Sequence, residues 1–177
     1  MTEPKDLTQQ LTESLEREKI LQERVEDLTD FLENASIPLH WVNASGVIIW
    51  ANQVELDLLG YTKDEYLGKH ISKIHADKSI IEDILDRLVR KETLQNFKAV
   101  LKTKDGRLIP VLINSNVRWK DGMFTHTRCF TRDISDLKTA EKEKIDLIEE
   151  LQRKNLALKS EIAVLKNELA VREVANL

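Results

Sequence analysis

The five glycines of this chain all lie between residues 46 and 122, and the segments on either side of that stretch contain none. Because glycine favours turns and weakens helices, its absence predicts long uninterrupted helices at both ends. The turn-rich middle must then carry the folded core. We predict three parts: an N-terminal amphipathic helix over residues 1–35, a globular domain over residues 36–135 and a C-terminal coiled-coil helix over residues 136–177.

The C-terminal flank repeats apolar residues in steps of four and three, as coiled coils do. The predicted dimer seam consists of Ile148, Leu151, Asn155, Leu158, Ile162, Leu165 and Leu169. Ile at a, Leu at d and one Asn at an a position favour a parallel two-stranded coiled coil in a single register. This pattern predicts a homodimer. The alternative is a helix that folds back onto its own core.

The N-terminal flank carries a weaker version of the same pattern. Polar Ser14 and Glu18 occupy positions of its apolar frame, whose other members are Leu7, Leu11, Leu21, Val25, Leu28 and Leu32. We expect an amphipathic helix that is a poor zipper on its own.

Composition narrows the range of functions. Charged residues make up 33% of the 177 residues, but the net charge is only -4, so no basic stripe favours nucleic acid as a partner. The chain has no run of about 18 apolar residues, which a membrane span would need. The single cysteine, Cys129, excludes an internal disulfide and fits a reducing compartment. We expect a cytoplasmic protein.

The middle segment reads as two short strands, several short helices and three long strands. Asn52 suits the N-cap of the first helix, which should end at Gly60, and residues 62–65 form a capping box for the next. A longer amphipathic helix covers residues 80–88. The predicted strands are residues 39–43, 47–51, 94–103, 108–119 and 124–132, with Lys-Asp-Gly turns at residues 104–106 and 120–122.

Five local motifs follow one another in this segment: Trp50-Ala51-Asn52, Leu59-Gly60-Tyr61 with Glu65-Tyr66-Leu67-Gly68, Ile74-His75-Ala76-Asp77, Lys104-Asp105-Gly106 and Arg132-Asp133-Ile134-Ser135. Together they resemble the PAS domain family of sensory modules. The resemblance implies an α+β fold, an antiparallel sheet of about five strands with short helices on one face. It also implies flanking coiled coils and a place in two-component signal transduction, as in bacterial sensor histidine kinases. Ser135 and Ala76 depart from the usual Thr and Pro.

With that fold, strand alternation divides the side chains between the two faces of the sheet. The inward set, joined by Ile81 of the long helix, gives the ligand-pocket candidates Phe97, Ala99, Leu101, Val111, Ile113, Ser115, Thr127, Cys129, Thr131 and Ile81. They would form a largely apolar pocket with a few hydroxyls. The alternative is a filled core without a ligand. His126, Arg128 and Phe130 should point outward, on a surface for a partner subunit or helix.

The resemblance also sets requirements for cofactors. A flavin photosensor of this family would need a cysteine where Ile71 stands, and a haem-binding member would need an axial histidine where Ile81 stands. Neither haem nor cysteinyl-flavin chemistry is favoured, and the cofactor stays unknown. We expect His75 to make a structural hydrogen bond. We expect Cys129 to pack as a small apolar residue, far from any base.

Enzyme activity is not expected. There is no histidine after His126 to accept a phosphoryl group and no glycine after Gly122 to form a nucleotide loop. We predict instead a module that relays a ligand- or partner-induced change through Asp133, Ile134 and Ser135 to the C-terminal helix. A small molecule and a kinase or other output protein are the expected partners. The alternatives are a ligand-free dimerisation scaffold and a sensor fragment of a larger histidine kinase.

Overall fold

A computed structural model describes residues 7–175 of the protein, and the side chains of residues 7–167. Its helices are α1 (Leu7–Glu33), α2 (Gln53–Leu59), α3 (Lys63–Tyr66), α4 (Lys78–Val89) and α5 (Ser135–Ala175). A single 3₁₀ turn covers Ile71–Lys73. Its strands are β1 (Leu39–Val42), β2 (Ile48–Ala51), β3 (Leu94–Lys102), β4 (Leu108–Lys120) and β5 (Met123–Asp133).

The five strands form one antiparallel sheet in the order β2-β1-β5-β4-β3. This confirms the predicted α+β fold. The β4–β5 ladder is the longest, from Val111 opposite Asp133 to Lys120 opposite Met123. Along β4 every second residue from Ile109 to Val117 is buried, and the residues between them are more exposed. One face of the sheet therefore faces the core, as the alternation predicts.

Capping residues stand at the ends of the short helices, as the sequence predicts. The Asn52 side chain accepts a hydrogen bond from the Glu55 amide at the start of α2, and Gly60 ends that helix. Thr62 and Glu65 form the predicted capping box of α3. Asp77 caps α4 by accepting hydrogen bonds from the amides of Ser79 and Ile80. Each cap satisfies backbone donors that a helix terminus leaves unpaired.

The hydrophobic core lies between the inner face of the sheet and α2, α3 and α4. Its largest fully buried apolar side chains are Tyr66, Ile48, Leu59, Ile74, Ile81, Leu94, Leu101, Ile113 and Val111. Burial of an aliphatic side chain of this size contributes about 1.5–3 kcal/mol, so this layer supplies most of the stability of the fold.

The two long helices differ from the rest of the chain because their apolar side chains are exposed. Helix α1 has no buried residue. It belongs to a first unit of the chain, which ends at Asp133. A second unit begins at Ile134 and contains α5. From Ile148 to Leu165, the apolar seam residues of α5 are 44–57% exposed, and the side chain of Leu169 lies outside the described residues. Within residues 7–175, no helix is long and apolar enough to cross a membrane.

Candidate functional site

A small cavity of about 20 Å³ lies inside the core, between α4 and the inner face of the sheet. Five of the ten predicted pocket residues line it: Ile81, Ile113, Ser115, Thr127 and Cys129. The rest of its lining consists of His40, Val42, Ile71, His75, Ile84, Leu85 and Leu88. A space of this size holds one water molecule, and a typical ligand pocket is at least ten times larger.

Four other predicted pocket residues lie on the inner face but away from this cavity. Ala99, Leu101 and Val111 are buried in the core. Phe97 is partly buried, and the guanidinium of Arg87 lies 5.5 Å from the centre of its ring. The β3 end of the sheet is therefore filled by packing.

A buried polar network that the sequence did not predict stands beside the cavity. The Glu55 carboxylate on α2 is completely buried and lies 2.9 Å from His40 Nδ1 on β1. The Tyr66 hydroxyl on α3 donates a hydrogen bond of 2.8 Å to the same Glu55 oxygen, Oε1. Helix α2, strand β1 and helix α3 thus bring a carboxylate, an imidazole and a phenol together at Glu55 Oε1. His40 also lines the cavity, so the network forms part of its wall.

The surroundings fix the charges in this network. Burial lowers the pKa of His40, but the neighbouring Cys129 sulfur and the Glu55 carboxylate raise it by more, and the net pKa lies well above its ordinary value. Burial and then the Glu55 carboxylate raise the pKa of the Tyr66 hydroxyl, which stays protonated and donates. The raised pKa of His40 favours a protonated imidazole, which lies 2.9 Å from the buried Glu55 carboxyl group.

Cys129 lies next to a base, contrary to the prediction. It is buried, as expected, but it lies directly opposite His40 in the β1–β5 pairing, and it raises the pKa of that imidazole. The prediction failed because β1 and β5 are far apart in the chain. Their pairing in the sheet could not be deduced from the residues around the cysteine.

Several buried polar atoms have no hydrogen-bond partner in the described part of the chain: Glu55 Oε2, His75 Nδ1, Ser115 Oγ and Thr131 Oγ1. The structural hydrogen bond expected of His75 is thus missing at Nδ1. Burial, and next the charge on His40, lower the pKa of His75 to about 4. His75 and Ser115 both line the cavity, and one water there would supply a partner for such atoms.

Large cofactors do not fit this core. Ile71 and Ile81 are buried in the cavity wall, at the positions where the resemblance requires a cysteine for a flavin adduct and a histidine for haem. Neither side chain can form a bond to such a group. Among the described residues, no group of three or more His, Cys, Asp or Glu side chains could hold a metal ion.

A second, larger depression lies outside the core, with a volume of about 770 Å³. It runs between the linker that follows α1, one side of α2 and the end of β5, and most of its surface is apolar. Its lining includes the pocket candidate Thr131 and the relay residue Asp133, together with Ser36, Ile37, Pro38, Val54, Asp57, Leu58, Asn114, Phe130 and Arg132. The predicted pocket residues therefore fall into three groups: five line the inner cavity, four pack elsewhere in the core and Thr131 lines the outer groove.

The family model for the PAS domain matches residues 33–136, more than half of the chain. The chain belongs to the PAS domain family. Members of this family are sensory modules and are generally not enzymes, and no catalytic family model is matched. No curated protein matches the chain.

Solved PAS structures share this fold. The PAS domain of an HTR-like protein from Haloarcula marismortui is 26% identical, with a TM-score of 0.59 over 67% of this chain and 98% of that one. A domain of a sensory box sensor histidine kinase/response regulator from Geobacter sulfurreducens is 22% identical, with a TM-score of 0.55 over 64% and 96%. The Rhodobacter sphaeroides LOV protein is 16% identical, with a TM-score of 0.55 over 64% and 68%.

The outer face of the PAS sheet is partly covered by its own aromatic residues. Trp41 stacks on His126 with ring centroids 4.4 Å apart, and His126, which was predicted to point outward, is buried. Arg128 is exposed and donates a hydrogen bond of 2.8 Å to Asn116 Oδ1. Phe130 is 43% exposed. Of the three residues predicted to face outward, Arg128 and Phe130 are exposed and His126 is buried.

The predicted relay residues join the two units in sequence. Asp133 ends β5 opposite Val111, Ile134 is buried, and Ser135 begins α5. The Ser135 carbonyl accepts a hydrogen bond of 3.0 Å from the Thr139 hydroxyl within the first turn of α5. A single residue therefore separates the last PAS strand from the long helix.

Proposed function

We propose that this protein is a dimeric sensory and signal-transduction module, in which a change in the PAS core reaches α5 through Asp133, Ile134 and Ser135. One observation carries the proposal: the last strand of the sheet leads, after one residue, into a 41-residue helix with an exposed apolar seam. A kinase or another signalling protein receives the output.

The seam supports a parallel homodimer. Ile148, Leu151, Leu158, Ile162 and Leu165 recur at coiled-coil spacing and are about half exposed in the single chain. A partner helix would bury them, and each leucine then contributes about 1.5–3 kcal/mol per chain. The free energy gained by association is therefore large compared with the stability of a lone helix in water.

The small cavity limits the kind of signal that the core can receive. The signal is either a small ligand with a small free energy of coupling or the binding of a partner protein. A cavity of about 20 Å³ admits no ordinary ligand without movement of α4 or the sheet. A coupling of about 1–3 kcal/mol is enough to shift the balance between two packings of a coiled coil. A small polar ligand in the cavity, or a protein on the outer face, could supply that much.

Cysteine cross-linking tests the dimer and the relay together. In a Cys129→Ala background, Leu151→Cys and Leu158→Cys should each form a disulfide between chains, and the control Arg153→Cys, which lies opposite the seam at an f position, should not. Adding Asp133→Ala should change the ratio of the two cross-links without unfolding the core. A monomer in sedimentation, or an identical ratio with and without Asp133, would contradict the proposal.

The near-filled core also favours a second candidate, a ligand-free dimerisation scaffold whose helices bind partner proteins. Native mass spectrometry of protein purified from its own host separates the two. A dimer with a reproducible added mass supports ligand sensing, whereas a bare dimer supports the scaffold.

A further inference from the structure

Asn52 links the end of α1 to the start of α2. Its side chain is completely buried, and its Nδ2 donates to the carbonyls of Leu32 at 3.4 Å, Ala35 at 3.3 Å and Ile37 at 2.9 Å. Its Oδ1 accepts from the amides of Leu39 at 3.0 Å and Glu55 at 3.1 Å. An N-cap needs only one such acceptor bond, so most of these contacts serve another purpose.

A second contact holds the same turn of α1. Glu33 Oε1 accepts a hydrogen bond of 3.1 Å from Trp50 Nε1 and lies 3.4 Å from Lys63 Nζ. No residue of α1 is itself buried, so these contacts are what hold the end of the helix. The last turn of the helix is therefore fixed to the PAS core at two points, while the turns before it depend on the position of that last turn.

These contacts continue into the cavity wall. The Glu55 amide bonds to Asn52, and the Glu55 side chain bonds to His40 and Tyr66. His40 lines the cavity. Hydrogen bonds thus form an unbroken path from the cavity through Glu55 and Asn52 to the last turn of α1. Short rigid paths of this kind can carry coupling between two sites, and a double-mutant cycle measures it.

We propose that Asn52 is a positioning residue that couples the buried His40–Glu55 pair to the last turn of α1, so that α1 carries the state of the core as well as α5. This proposal rests on the sensory role of the core proposed above, but it requires neither the dimer nor the relay through Asp133. Its failure and theirs are therefore separable.

Hydrogen–deuterium exchange of the full chain tests the coupling. Glu55→Gln removes the charge that holds His40 and keeps the shape of the side chain. We expect it to raise the exchange rate of the amides of residues 31–34 about five-fold or more beyond its average effect on the core. In an Asn52→Ser background, which keeps an N-cap oxygen but loses the amide arm, the same change should add less than two-fold.

Two controls separate coupling from general loosening. Ile109→Val removes one methyl group from the core on β4, away from Asn52, and should leave the amides of residues 31–34 no faster than the core average. Asp77→Ala removes the cap of α4, so combining it with Glu55→Gln should leave the full five-fold effect at α1.

The proposal is overturned if Glu55→Gln affects residues 31–34 no more than Ile109→Val does, or if its effect is undiminished in the Asn52→Ser background. Should Asn52→Ser fail to fold, Asn52→Thr takes its place, because it also keeps an N-cap oxygen and loses the amide donors to residues 32, 35 and 37. The same outcomes support or overturn the proposal with either variant. Cross-linking of α5 is measured in parallel and reports on the other relay independently.

Discussion

A carboxylate with no exposed surface needs partners, and Glu55 has them on one oxygen. His40 and Tyr66 both bind Oε1, while Oε2 has no partner among the described residues. Removing one member of a buried ion pair leaves the other charge in a medium that solvates it poorly. The stability of the core therefore depends on keeping this pair together.

Glu55→Ala should lower the free energy of unfolding by about 3–5 kcal/mol, because it leaves the His40 charge and the Tyr66 hydroxyl unpaired. Urea unfolding followed by circular dichroism measures the loss. The matched control is Glu82→Ala, an exposed glutamate on α4. A loss below about 1 kcal/mol would show that His40 is neutral in the fold.

His75 makes the fold sensitive to acid. Its folded pKa of about 4 lies below the ordinary value of 6.5, so the fold favours the neutral imidazole. The stabilisation is complete above pH 6.5 and is lost as the pH falls towards 4. The difference amounts to about 3 kcal/mol. His40 and Glu55 face this group, and the charge on His40 opposes a second cation beside it.

His75→Phe should therefore flatten the fall in unfolding free energy between pH 6.5 and 4. Urea titrations at half-unit steps of pH measure the slope. The surface control His70→Gln should keep the wild-type slope. A His75→Phe protein that loses stability as steeply as the wild type would assign the acid sensitivity to other groups.

For single residues, the sequence predicted roles that depend on near neighbours in the chain but not contacts with distant residues. Asn52 was predicted as an N-cap and is one, because capping depends on residues that are close in the chain. Its bonds to the carbonyls of residues 32, 35 and 37 were not predicted, since they require the path of a loop to be known. Glu55 stands three residues after a cap, where a glutamate is normally solvated, and nothing in the spacing indicates burial.

The elements themselves were largely predictable. Capping residues, turn glycines and the alternation of apolar residues act over a few positions, and from β1 to β5 the predicted strands and helices begin and end within one or two residues of the observed ones. Where pairing partners are distant, prediction failed, as for the base beside Cys129. The cavity volume was not predictable either, because it depends on how the isoleucines of α4 pack against β4 and β5.

Asn155 belongs to the α5 seam, and its side chain is exposed in the single chain. A polar residue at one a position lowers coiled-coil stability but fixes register and oligomer state. Asn155→Leu should raise the melting temperature of the dimer and make cross-linking through Leu151→Cys less specific in register. Thermal unfolding and disulfide mapping measure both effects. An unchanged parallel dimer in one register would contradict this role.

At the scale of the whole molecule, the last turn of α1 belongs to the core even though most of α1 does not. The carbonyl of Leu32 in that turn and the carbonyls of Ala35 and Ile37 in the linker after it satisfy the buried Asn52 amide, although no residue of α1 is itself buried. The boundary of the folded unit at this end lies inside a helix. The predicted division at residue 35 would cut between these acceptors.

Two truncated chains test this boundary. Residues 32–177 should unfold with nearly the free energy of the full chain, because every acceptor of Asn52 is retained. Residues 38–177 should lose about 1–3 kcal/mol, the cost of an unsatisfied buried donor. Urea unfolding of both chains at matched concentration measures the difference. Equal stability of the two would show that solvent replaces the carbonyls of residues 32, 35 and 37 without loss.

The indole N–H of Trp50 donates a hydrogen bond to Glu33, and the ring centroid of Trp50 lies 4.8 Å from that of Trp41. Two indoles this close share their electronic excitation, and the resulting bands in circular dichroism depend on the angle between the rings. The junction between α1 and the sheet therefore contains an intrinsic spectroscopic probe. A change in the seating of the helix can be followed in an unlabelled protein, in real time, from the light that these two side chains absorb.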